Sequence, residues 1–345
     1  MFQAPATDAD KVGTLLAEHY DLDITDSTGL VPVEGGADLA ATLWTATDSR
    51  GQRFAVKWSG GGSAAGLVLP AALSEALPGS TAKPVPSRTG ALWIDTGDMR
   101  LSIMEWIAGT SALEAPLGRE TWEAQGRLLG TLHGLPVTGQ LREWVPREDF
   151  DPSRWAALFE RVDAVIGENG APHDEPASRL AEAWLPHRAD LRTVHDLTIR
   201  LGGVLRERAS LPEFVPCHAD PHLGNLILTG EGPVLIDFDD AVLAPAERDL
   251  MFVLGGGVLA DLPVTPEHQA DFMNGYARQG TVEVDTELIT YYRGLRTLED
   301  IAEPASVVLD PSAPAKEREG NLGYVTDVLS PAGLLAQTLA GRGSG

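Results

Sequence analysis

The stretch that most constrains this chain is PCHADPHLGNLILTGEGPVLIDFDD, residues 216–240. Two short apolar runs, NLILT and PVLIDF, flank the turn GEG, which predicts a β-hairpin. Polar residues crowd both open ends. His218, Asp220, His222 and Asn225 precede the hairpin, and Asp237, Asp239 and Asp240 close it. A hairpin fixes register, so positions 225 and 237 are carried side by side on rigid strands. Turn chemistry accounts for single Asp or Asn caps, but not for several polar side chains ending near one point.

His218, Asp220 and Asn225 stand in the spacing H-x-D-x-x-x-x-N. Kinase-type catalytic loops use that spacing ahead of a hairpin that ends in a metal-binding aspartate. Transfer of a phosphoryl group to a hydroxyl calls for a carboxylate at the nucleophile and oxygen ligands for a divalent cation. Asp220 is the candidate base, and Asn225 and Asp237 are the candidate Mg²⁺ ligands. His218 is expected to brace the loop through backbone hydrogen bonds. His222 either faces the acceptor or phosphates or fills the loop. A rival reading makes His218, Asp220 and His222 the metal ligands of a metal-dependent hydrolase. It lacks a second set of ligands, because His133, His187 and His195 are isolated along the chain. Cys217, the single cysteine, lies in an apolar run and is expected to pack in the core.

The rest of the chain divides by periodicity. Residues 8–20 predict a short amphipathic helix. Residues 30–58 predict three strands separated by a glycine turn and by DSRGQ, and 67–79 predict a helix stopped by Pro-Gly. Residues 90–109 predict two further strands. Helical patterns follow at 119–136, with Trp122, Leu128, Leu129 and Leu132 on the core face, and at 151–170. Residues 175–209 predict one long helix or two broken near Pro186, and 244–340 are mostly helical. The expected class is α+β, with a small antiparallel sheet lobe at 1–107 and a larger helical lobe at 108–345.

The sheet lobe carries the second half of the chemistry. RFAVKW ends an apolar strand in Lys57, a cation suited to nucleotide phosphates. Glu75 is the only acidic residue on the helix that follows, and is the candidate partner of Lys57. Gly35 and Gly36, in VEGGADLA, permit close backbone approach to phosphates. In SIMEWIAG, backbone groups of Glu105 and Ile107 are candidates to bond adenine, with Met104 lining the pocket.

The chain has 345 residues, with 26 basic against 50 acidic and a net charge of −24. That balance disfavours a nucleic-acid or anionic-membrane partner, which needs Lys and Arg. It suits a cationic small molecule. Asp239, Asp240, Glu299 and Asp300 are the candidate substrate carboxylates, and Tyr291 and Tyr292 are candidate aromatic walls. Hydrophobic residues make up 43 %, enough for a sizeable core. No apolar run approaches the ~20 residues of a membrane span. The first eleven residues have neither a basic nor an apolar leader region, so a cytoplasmic protein is expected.

The motifs HADPHLGN, VLIDFDD and APAERDLMFV together resemble the aminoglycoside phosphotransferase family. EGGADLAATLW, FAVKW, LGTLHGLP and YYRGLRTLEDI are similar to its spectinomycin phosphotransferase branch. The resemblance covers roughly residues 20–305. It implies a bilobal protein-kinase-like fold, ATP or GTP as donor, Mg²⁺, and O-phosphorylation of a hydroxylated substrate; an aminoglycoside or aminocyclitol antibiotic is the expected acceptor, and a monomer or homodimer the expected state. It also implies Asp249 as a structural residue bracing the catalytic loop. A kinase for another hydroxylated metabolite, such as an amino alcohol or a sugar, would use the same motifs. The chain departs from the family at Ala219, where glycine is usual. It also lacks the D-F-G glycine and A-P-E of protein kinases, so a protein substrate is not expected.

Overall fold

The computed structural model of the chain describes residues 9–20, 22, 29–33, 41–60, 63–168, 174–277 and 283–340. Its elements run α1 (Ala9–His19), β1 (Leu30–Pro32), β2 (Ala41–Thr47), β3 (Arg53–Ser59), α2 (Ala65–Ala76), β4 (Trp93–Thr96), β5 (Met99–Glu105), β6 (Thr110–Ser111), α3 (Arg119–His133) and α4 (Gly139–Trp144). They continue α5 (Ser153–Glu168), α6 (Glu175–Trp184), α7 (Arg188–Glu207), β7 (Val215–Cys217), β8 (Leu226–Thr229), β9 (Gly232–Leu235) and β10 (Val242–Ala244). The last are α8 (Glu247–Leu250), α9 (Pro266–Tyr276), α10 (Thr286–Leu309), α11 (Ala315–Leu329) and α12 (Leu334–Ala340). An antiparallel sheet in the N-terminal part and a mostly helical C-terminal part make up the α+β class expected.

Contacts group these elements into two units. One holds Met1–Pro146 with Val215–Leu243, the other Arg147–Phe214 with Ala244–Gly345. This grouping does not follow the boundary expected after residue 107. The 216–240 block belongs with the N-terminal sheet, although the mostly helical segment Arg147–Phe214 separates it from Pro146 in sequence.

In the first unit, five strands pair in the order β1-β2-β3-β5-β4, all antiparallel. Alternation along β3 sends Phe54, Val56 and Trp58 to one face. There they are buried with Trp44, Leu101 and Ile103 against Val12 and Leu16 of α1 and Tyr20 just after it. Each large apolar side chain buried this way contributes about 1.5–3 kcal/mol. The same alternation sends Lys57 to the opposite face. Helix α2 starts two residues earlier than its periodicity predicts and ends at Ala76. The segment after it ties the sheet to the hairpin. The Leu235 N–H donates to the Ser80 carbonyl at 2.8 Å, and Thr81 bridges Leu235 in parallel. Helix α3 packs on β7 and β9 and buries Trp122, Leu128, Leu129 and Leu132, the face its spacing predicts.

The second unit is built around α10, which packs on α5, α6, α7, α8, α11 and α12. The predicted break near Pro186 is present as a 3-10 turn at Leu185–His187 between α6 and α7. Tyr291 and Tyr292 are fully buried with Phe150, Leu205 and Met251. They are core side chains, not walls of a binding surface. No described helix is long and apolar enough to cross a membrane.

Candidate active site

The hairpin forms with Leu226 opposite Leu235 and Ile227 opposite Val234. Its open end is closed by the Ile236 N–H, which donates to the Asn225 carbonyl at 3.0 Å. Asp237 follows by one residue, so the predicted approach of 225 and 237 is realised. The loop before the hairpin is held by His218, which is fully buried. Its Nε2–H donates to the Ile236 carbonyl at 2.9 Å, and its Nδ1 accepts the Asp220 N–H at 3.2 Å. The ring also packs on Phe238, with centroids 4.4 Å apart. Both ring nitrogens therefore serve the backbone, and His218 has no lone pair left for a metal. The hydrolase reading of His218, Asp220 and His222 fails on this geometry.

Asp220 is held from two sides. Asn225 Nδ2–H donates to the Asp220 carbonyl at 3.0 Å and reaches its Oδ2 at 3.4 Å. His222 Nε2 lies 3.5 Å from the same Oδ2, while its Nδ1 accepts the Gly224 N–H at 2.9 Å. A Cβ on Gly224 would stand 2.8 Å from that Nδ1, so glycine lets the ring close over the turn. The result is a carboxylate whose orientation is fixed by an amide and an imidazole. His222 thus leans on the candidate base.

Two residues of this site are in the left-handed region, Ala219 at φ +70° and Asp237 at φ +63°. Asp tolerates that region through its short polar side chain. Ala219, where the family usually has glycine, adopts the glycine-like conformation with its methyl fully enclosed.

Lys57 reaches the hairpin end from the sheet. Its Nζ pairs with the Asp239 carboxylate. It lies close enough to Asp237 to favour that residue's ionised form. Asp237 is nevertheless pushed above the usual carboxylate range. Desolvation by the surrounding loop is the largest cause and the like charge of Asp239 the second. The residue keeps one side open to solvent. An excess of negative charge at a partly open oxygen site is relieved by a divalent cation. The donors fit Mg²⁺: the Asp237 carboxylate is a hard anionic ligand and Asn225 has its Oδ1 left after Nδ2 is committed.

Other predicted site residues are placed differently. Glu75 is exposed and has no ion pair with Lys57; Asp239 stands there instead. Glu105 can meet a base only through its carbonyl, because its N–H donates to the Lys83 carbonyl at 2.9 Å. Met104 and Ile107 are half-buried beside it. Gly35 and Gly36 lie outside the described residues. Asp240 is exposed, whereas Asp239 is committed to Lys57. Glu299 and Asp300 belong to the second unit. There Asp300 is buried and pairs with Arg296 at 2.8 Å, and Glu299 faces Arg248. Neither is an open carboxylate. Asp249 is fully buried on α8. The roles of Asp239 and His222 escape sequence reading. The available signal is the D-F-D period of two, which places Asp237 and Asp239 on one side of buried Phe238.

The structure is similar to that of a spectinomycin phosphotransferase, APH(9)-Ia, in complex with ADP and spectinomycin, with TM-score 0.84, 22 % identity, and 98 % of this chain and 99 % of that chain covered. It is also similar to amicoumacin kinase hAmiN in complex with AMP-PNP, Ca²⁺ and Ami, with TM-score 0.61, 18 % identity and coverage of 94 % and 93 %. A microcompartment-associated aminopropanol kinase gives TM-score 0.59 at 16 % identity, with coverage of 93 % and 96 %. No curated protein sequence matches. Residues 69–288, which take in most of α2, the catalytic-type loop, the hairpin and Asp249, match the model of the phosphotransferase enzyme family. The arrangement of Asp220, Asn225 and Asp237 and this match lead to the same place: the chain belongs to the phosphotransferase enzyme family.

Proposed function

We propose that the chain transfers the γ-phosphoryl group of ATP or GTP to a hydroxyl of a cationic aminocyclitol or aminoglycoside antibiotic, and so confers resistance to it in the cytoplasm. The observation that carries this reading is the meeting of Lys57 with the hairpin end that bears Asp237, next to an Asp220 held by Asn225 and His222. The likeness in fold to a spectinomycin phosphotransferase and the net charge of −24 support the substrate class.

In this reading the acceptor hydroxyl oxygen bonds to the γ-phosphorus as the bond to the β–γ bridging oxygen breaks. The hydroxyl proton passes to the Asp220 carboxylate. Lys57 and the Ile107 and Glu105 backbone bind the nucleotide. Asn225 and Asp237 would hold Mg²⁺, which supplies charge neutralisation at the phosphates when bound. For this role the orientation of Asp220 counts more than its basicity, because a loose transition state transfers the proton late.

The test is a panel of aminocyclitols, aminoglycosides and small amino alcohols incubated with Mg²⁺ and γ-labelled ATP or GTP, with products identified by mass. Phosphate on spectinomycin-like compounds is the expected result. Label confined to an amino alcohol would move the assignment to a metabolite kinase, a reading that the fold shared with an aminopropanol kinase also accommodates.

A further inference from the structure

Resting on the phosphotransferase reading, we propose that Asp239 is the positioning residue for Lys57, doing here what a carboxylate on the helix after β3 would otherwise do. Lys57 needs an anion to hold its ammonium in place, because a four-carbon stem has many rotamers to lose. The only acidic side chain on α2 is Glu75, in its last turn. Gly66, in the first turn of α2, is the part of the helix that lies against Asp239. Nine residues of helix separate Gly66 from Glu75, about 13–14 Å at 1.5 Å per residue. A lysine that touches Asp239 cannot also reach a carboxylate so far along the helix.

The chain is built to let Asp239 approach. A Cβ on Gly66 would stand 2.8 Å from Asp239 Oδ1, and 3.4 Å from both Asp239 Cα and the Phe238 carbonyl. The first turn of α2 therefore docks on the Phe238–Asp239 backbone only because position 66 has no side chain. Phe238, buried at 2 %, anchors the segment from its other face. Helix, hairpin and lysine strand are thus coupled through one side chain.

Two different roles for Asp239 must be separated from this one: a metal ligand, and a contact to a cationic substrate. The experiment is a double-mutant cycle between Lys57→Ala and Asp239→Asn in the full chain, read as KM for ATP, kcat, and affinity for Mg·AMP-PNP by titration calorimetry. Asp239→Asn alone is expected to raise KM for ATP about tenfold with the acceptor KM unchanged. Asp239→Glu should recover part of the loss. In the Lys57→Ala background, Asp239→Asn should cost nothing further. Gly66→Ala, which displaces Asp239 without touching any charge, should move KM for ATP in the same direction. A further loss on adding Asp239→Asn to Lys57→Ala, or a rise in the acceptor KM, would overturn the proposal. Failure of the broader reading looks different: the unmodified protein would then bind no Mg·AMP-PNP and turn over no triphosphate.

Discussion

The imidazole of His218 donates from Nε2 to the carbonyl of Ile236, 2.9 Å away, across eighteen residues of sequence. That bond joins the loop bearing Asp220 to the strand end bearing Asp237. The ring is fully buried and accepts a second backbone bond at Nδ1. Replacing it with alanine leaves two part-buried backbone groups without this partner and a cavity beside Phe238. His218→Ala should lower stability by about 2–4 kcal/mol in urea titration. It should also weaken Mg·AMP-PNP binding, because Asn225 and Asp237 lose their common reference. A variant as stable as the parent would show that the bond is not what holds the loop.

Ala219 offers a sharper test, because opposing effects nearly cancel. Its left-handed backbone costs an L-residue about 1–2 kcal/mol, which glycine avoids. Glycine adds unfolded-state entropy worth ~0.4–1 kcal/mol and gives up a buried methyl worth about 0.8 kcal/mol. Ala219→Gly should therefore change stability by less than about 1 kcal/mol in either direction. Ala219→Val, β-branched in the same conformation and in a closed space, should lose several times that. Thermal melts of both variants decide it. Equal losses from glycine and valine would mean that packing, not backbone conformation, governs the position.

These two positions also show what is legible in the sequence. The hairpin, the H-x-D-x-x-x-x-N loop and the lysine strand can be read directly, since each rests on local periodicity and turn chemistry. The backbone of Ala219 is legible only through the family's usual glycine. The partner of Lys57 is not legible at all. It depends on where α2 docks along its own axis, and a helix period gives the buried face but not the position along that axis. Glu75 is the natural choice by composition and lies a helix length away. The same limit applies to Glu299 and Asp300: a carboxylate in sequence is an open charge until a neighbour such as Arg296 is placed beside it.

Asp220→Asn isolates the base. The amide keeps the shape and the contacts to Asn225 and His222 but cannot take a proton. Turnover should fall by about 10²–10⁴-fold with KM for ATP little changed. Steady-state kinetics at saturating acceptor measure it, and unaltered turnover would remove Asp220 from the proton transfer.

Asp237 is placed at a cost to the metal-free protein. Its pKa in the folded chain is raised by desolvation and by Asp239. A carboxylate with a raised folded pKa favours folding only while protonated, so its contribution declines as pH rises through that raised pKa. Asp237→Asn removes the ionisation. Without Mg²⁺ or nucleotide, this variant should melt higher than the parent at neutral pH, and the difference should shrink as pH falls toward 3.8, the ordinary Asp value. With Mg·ATP present the order should reverse, because only the parent gains ligand stabilisation. A thermal-shift series with and without Mg·ATP tests both halves. A variant that still binds Mg·ATP normally would exclude Asp237 as a ligand.

Asp163 presents the opposite sign in the second unit. Its side chain is only 6 % exposed, and it accepts from Trp184 Nε1 at 3.0 Å, from Arg188 Nε at 2.8 Å and from Arg192 Nη2 at 2.7 Å. Desolvation alone would raise its pKa, but the bonds from Arg188, Arg192 and Trp184 outweigh it and hold the carboxyl below the usual range. A depressed folded pKa stabilises the fold above the unfolded value and is lost as pH falls through the folded one. The parent should therefore shed part of its stability below about pH 4, where the free carboxylate protonates. Asp163→Asn, which keeps one acceptor but no charge, should lose about 2–4 kcal/mol at pH 7. It should also show a flatter stability profile between pH 5 and pH 3, the window in which an unperturbed Asp titrates. Both arginines stay partly in water, so the loss falls mainly on Trp184, whose buried N–H would share a single weaker acceptor. Adding Trp184→Phe to Asp163→Asn should then recover stability relative to Asp163→Asn alone, and urea titration of the pair shows whether it does.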